Sequence, residues 1–141
     1  MPGRRDPLLV VLRTIALLIA LRSLGNLGKP FGTGTGLMFF GFMLKGPAMW
    51  VLAPAVGLYM IAWAYGLWNL RSFAVPMGVA YLGYVVVNLI GFPLTEGLPK
   101  GAEPWMYAIY ALVGFGVPAL ALWILVTRRR ARDASSVEQA A

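Results

Sequence analysis

The chain contains no cysteine and no histidine. Disulfide frameworks are therefore excluded. So are Cys/His zinc sites, histidine-ligated haem and any His-dependent catalytic triad. Charge is scarce too. Only 12% of residues are Asp, Glu, Lys or Arg, about half the usual quarter. Of 141 residues, only five are acidic. Carboxylate-metal chemistry and proton pumping both need buried acids, and no acid falls inside an apolar run. These absences leave no cofactor, no metal site and no nucleophile–base pair to argue for, and the expectation is a non-enzyme.

What the chain has is apolar surface. Hydrophobic residues make up 60% of it and the mean hydropathy is +0.74. A soluble core of this size cannot bury so much. The excess is expected to face lipid, and the apolar content also excludes disorder.

Charge placement locates the spans. Pro47–Leu70, Ser72–Thr95 and Pro104–Thr127 contain no Asp, Glu, Lys or Arg. Each exceeds the roughly 20 residues that cross a bilayer core as a helix. Lipid favours helix because backbone groups must be satisfied internally. The spans are read at about 48–70, 73–94 and 105–126. A further apolar run, Leu8–Leu24, follows Pro7, a residue suited to a first helical turn. At about 1.5 Å per residue it reaches only roughly 26 Å. Arg13 and Arg22 lie near its ends, where they can snorkel to headgroup level. A signal peptide is the rival reading, since Arg4 and Arg5 precede the run. Arg13 interrupts that run and no A-x-A pattern follows, which favours an uncleaved first helix.

Four spans put Arg4, Arg5, Arg71, Arg128, Arg129, Arg130 and Arg132 on one side. The other side receives Lys29, Lys45 and Lys100, with Glu96 and Glu103. The positive-inside rule then gives both termini in the cytoplasm of a bacterial inner (plasma) membrane. The fold class is an all-α four-helix transmembrane bundle (residues 1–127) with a Gly-rich outer loop after the first helix. A basic tail, 128–141, is expected to be unstructured.

The outer loop runs from Gly25 to Gly46. Its apolar run Leu37–Leu44 is too short to span and is read as an interfacial or shallow re-entrant segment. Gly32-Thr33-Gly34-Thr35-Gly36 lacks the spacing, the following lysine and the strand of a phosphate loop, so a flexible loop is expected there.

Small residues recur at helical spacing: Ala53/Gly57, Ala62/Gly66, Ala74/Gly78, and Ala111, Gly114, Pro118 and Ala121. Such stripes let helices approach closely. They motivate one functional reading, an accessory component packing against partner spans or against a second copy. The other reading rests on polar aromatics. Tyr81, Tyr84 and Asn88 share a face of the third span, Tyr107 and Tyr110 a face of the fourth, and Tyr59 and Trp63 a face of the second. Counted at about 1.5 Å per residue, Asn88, Tyr110, Tyr84 and Tyr59 all fall within roughly 15 Å of the outer ends, so that if the three faces converge they form a site in the outer half of the bundle. An aromatic site with hydroxyl and amide handles suits a lipid, a quinone or another apolar ligand. The same groups can instead lock helices together, and Asn88 is the sharpest, because an amide in lipid demands partners. Arg128, Arg129, Arg130 and Arg132 are positioned to contact anionic lipid or simply to fix orientation. The pI near 10.3 reflects these topology markers. No basic stripe or recognition motif supports nucleic-acid binding.

Overall fold

A computed structural model describes residues 6–31, 36–95 and 104–138. It contains four helices long and apolar enough to cross a membrane, as a small membrane protein requires.

Helix α1 spans Pro7–Gly28. Asp6 caps it, its Oδ1 accepting from the Leu8 amide at 3.1 Å, and Pro7 occupies the first turn without losing a hydrogen bond. The expected 8–24 boundary was too short. The helix continues through Gly25 and Gly28, and its 22 residues reach about 33 Å. Those glycines carry no packing conflict, so their lower helix propensity does not end the helix.

Helices α2 (Pro47–Trp68) and α3 (Ala74–Thr95) match the expected spans within two residues. The turn between them is a Schellman cap. The Arg71 amide donates to Gly66 O at 2.8 Å and the Leu70 amide to Leu67 O at 3.3 Å. Leu70 takes the left-handed conformation, φ +53°, that this motif demands of its C′ residue. The last span begins as α4 (Pro104–Ala111), passes through a π-helical turn at Leu112–Gly116 and continues as α5 (Val117–Glu138). The expected unstructured tail is therefore helical as far as Glu138.

The segment before α2 departs from an all-α fold. Leu37–Leu44, read as an interfacial or shallow re-entrant segment, is not helical. Strands β1 (Leu37–Phe39) and β2 (Phe42–Leu44) form an antiparallel hairpin, with Leu37 opposite Leu44 and Phe39 opposite Phe42. Phe40 and Gly41 make the two-residue turn, both with positive φ, the combination that matches the twist of paired strands. The Gly32–Thr35 stretch lies outside the described residues.

Contacts α1–α2, α2–α3, α3–α5 and α5–α1 close the bundle. Leu12, Trp63, Leu67, Ile124 and Leu125 form its fully buried centre. Outward-facing Leu18, Val51, Leu58, Val79, Ile90 and Leu94 are exposed, the pattern of a bundle whose solvent is lipid. Small residues set the close approaches. A Cβ on Gly57 would meet Leu27 at 3.0 Å, and one on Gly78 would meet Trp63 and Leu122 at 3.1 Å. The antiparallel order puts the start of α1 beside the middle of α5, where Arg128 pairs with Asp6. Arg13, on the same flank, stacks 5.5 Å above the Trp68 ring.

Candidate functional site

The site is organised by one face of α3. Tyr84, Asn88, Gly91 and Thr95 stand at i, i+4, i+7 and i+11 and meet the hairpin. Tyr84 Oη donates to Met38 O at 2.6 Å. Asn88 Oδ1 accepts from the Gly41 amide at 2.9 Å, while Asn88 Nδ2 donates to Tyr84 O at 3.0 Å. Thr95 Oγ1 donates to Gly41 O. Between them Gly91 and Gly41 touch through their backbones, and a Cβ on Gly41 would lie 2.9 Å from the Gly91 Cα. On its other side the hairpin packs Leu37 against Met49 and Ala53 of α2. Asn88 lies seven residues, about 10 Å, below the end of α3. Non-helical backbone at that depth is tolerable only where protein satisfies it, and these α3 side chains do so. The partner that Asn88 requires is thus the hairpin backbone.

Two cavities lie beneath this cover. The first is a slot of about 200 Å³ lined by Phe39, Phe40, Val56, Tyr59, Ala80, Tyr81 and Tyr84. Its tyrosines show it mainly their rings, since Tyr59 Oη donates to Met77 O at 2.5 Å and Tyr84 Oη to the hairpin. Tyr81 stacks obliquely between Trp63 and Tyr84, with centroids 5.3 and 6.2 Å away. Phe40 and Ala80 are exposed, so the slot opens on the flank of the bundle. Tyr84 and Tyr59 lie about 16 and 18 Å from the hairpin-side ends of α3 and α2, near mid-helix.

The second cavity, about 110 Å³, lies nearer the hairpin-side end. Arg22, Ser23, Asn26 and Lys29 line it from α1 and the turn beyond, and Tyr81, Tyr84, Val85 and Asn88 from α3. Gly114 of the π-turn closes another wall. Ser23 and Asn88 are buried. Ser23 Oγ donates to Ile19 O at 2.6 Å, and Lys29 Nζ to Gly36 O at 3.0 Å. Burial, and then the Arg22 guanidinium, hold the Lys29 ammonium below its ordinary value. The two cavities share Val56, Tyr81 and Tyr84 as a common wall.

The structure therefore brings Tyr59, Tyr81, Tyr84 and Asn88 together, though two of them hold the hairpin as well as lining space. Trp63 is core: it is fully buried, its Nε1 donates to Ala74 O at 2.9 Å, and it reaches the site only through Tyr81. The expected contribution of Tyr107 and Tyr110 falls on side chains outside the described residues. Arg128 pairs with Asp6 and Arg129 is half-buried; Arg130 and Arg132 lie at the surface. Sequence reasoning missed the α1 contribution. Arg22, Asn26 and Lys29 recur at i, i+4 and i+7, a face that was hidden by ending the helix at Leu24. Phe39 and Phe40 were missed because only a hairpin brings them onto α3.

No protein-family model, curated protein or solved structure matches the chain.

Proposed function

We propose that this small membrane protein binds an apolar molecule of lipid or quinone type in the aromatic slot, without catalysing its conversion. The observation that carries the reading is the slot itself. It is concave, walled largely by aromatic rings, with the Tyr59 and Tyr84 hydroxyls occupied elsewhere, and open sideways at mid-helix depth where lipid tails lie. Polar groups stand at only one end. In this reading both termini face the cytoplasm of the plasma membrane, and the hairpin covers the outer half.

The other reading, docking of partner spans or a second copy, rests on the small-residue stripes. Ala53, Gly57, Gly66, Ala74, Gly78, Gly114, Pro118 and Ala121 are buried within the bundle, whereas Ala111 is half-buried and Ala62 exposed, which leaves that reading little of its surface.

Ala80→Phe tests the proposal. Ala80 is exposed, so a phenyl ring enters the slot without displacing core. Native mass spectrometry of protein released from nanodiscs is expected to show a monomer carrying one apolar molecule, which Ala80→Phe loses while its melting temperature stays within a few degrees. Equal retention by the variant rejects the slot as the binding place. A stoichiometric second polypeptide would instead favour the docking reading.

A further inference from the structure

We infer that the cavity under the hairpin receives a phosphate-bearing headgroup, so that the slot and the cavity together hold one anionic membrane amphiphile. The inference rests on the slot reading and names the class of its ligand.

Three observations converge. The first is charge. Arg22 and Lys29 border the same small cavity, and no carboxylate among the described residues lines it. Burial first, and the Arg22 guanidinium second, lower the proton affinity of Lys29, whose Nζ donates to Gly36 O, while Arg22 reaches the cavity from an exposed position. An anion in this cavity would face both cations. The second is donor chemistry. Guanidinium and ammonium groups, with the Asn26 amide beside them, form the donor set that grips phosphate oxygens. The volume suits it as well. A single water needs roughly 10–15 Å³, so about 110 Å³ takes one compact polar group.

The third observation is vertical order. Arg22 lies six residues, about 9 Å, below the end of α1, and Asn88 about 10 Å below the end of α3. The slot is deeper, at about 16 to 18 Å. Polar space above apolar space, divided by a shared wall of Val56, Tyr81 and Tyr84, follows the sequence of headgroup and tail in the leaflet on the hairpin side.

The full chain is placed in nanodiscs of equimolar phosphatidylcholine and phosphatidylglycerol, and the lipid it retains is read by native mass spectrometry. Wild type is expected to keep one phosphatidylglycerol in preference to phosphatidylcholine, by about tenfold over the bulk ratio. Arg22→Gln should bring that preference near unity while one lipid is still retained, and Arg22→Lys should restore most of it. The arginines at the other end of the bundle are unchanged in these variants and serve as an internal control for general attraction to anionic lipid. An undiminished preference in Arg22→Gln overturns the headgroup assignment and leaves the slot intact. Loss of all lipid only in Ala80→Phe supports the slot, and no loss there sinks the underlying reading instead. Free phosphate is separated by a further arm in phosphatidylcholine alone. If inorganic phosphate raises the melting temperature of wild type but not of Arg22→Gln, and no preference for phosphatidylglycerol exists, the cavity takes the free ion and the lipid is overturned as its source.

Discussion

At the residue scale, Asp6 has two roles. Its carboxylate caps α1 through the Leu8 amide and pairs with Arg128 across the bundle. Asn at this position keeps an N-cap acceptor and loses the charge, whereas Ala loses both. A cap contributes about 1 kcal/mol. A half-exposed ion pair contributes up to about 1 kcal/mol. Asp6→Asn should therefore lower stability less than Asp6→Ala, measured by thermal melting in one detergent, and the Asn penalty should shrink in high salt while the remaining Ala penalty persists. Equal penalties in both variants would show that the cap contributes nothing. The aspartate is visible in the sequence ahead of Pro7, but its partner is not, because a contact 122 positions away depends on how the helices close.

At the element scale, the hairpin is the feature whose removal is most informative. It reaches α3 through the Gly41 backbone, held by Asn88 and Thr95, and through Tyr84 at Met38. Asn88→Leu leaves a buried amide at Gly41 without its acceptor, at a cost of about 1–3 kcal/mol. Hydrogen exchange should then show the Gly41 amide losing protection, with α1 and α2 unaffected. Uniform loss throughout the bundle would mean that Asn88 supports the whole fold rather than one element. Gly91→Ala should act in the same direction, because its Cβ would press on the Gly41 Cα at 3.0 Å. The sequence marked Asn88 as a residue in need of a partner and Leu37–Leu44 as too short to span. It did not connect the two. An eight-residue apolar run carries no period that separates hairpin from helix, and Phe40 at a positive φ is an unusual turn residue that gives no signal.

At the scale of the whole molecule, the spans were legible because bilayer thickness translates directly into lengths of chain without charge. Two boundaries were not. Arg22 suggested an early end to α1, and Arg128–Arg132 suggested an end to the last helix, yet both sets of arginines are helical. Charge marks where a helix meets the interface and says little about where it stops. This is also why the cationic half of the site went unread. The orientation can be tested cleanly because the native chain has no cysteine. A single Lys45→Cys should react in intact cells with a membrane-impermeant maleimide, and a single Arg130→Cys only after the membrane is opened. Labelling of Arg130→Cys alone from outside would reverse the proposed topology, and labelling of both would dismantle it.

The hairpin also fixes an order of events during synthesis. Residues 37–44 leave the ribosome well before Tyr84, Asn88 and Thr95 exist, and chains mature from the N-terminus onward. Until α3 arrives, the Gly41 amide has no Asn88 to accept from it and must stay in contact with water. The hairpin thus cannot settle to its final depth when α1 and α2 enter the bilayer. Its descent and the arrival of α3 are a single late step, and the two cavities exist only once that step is complete.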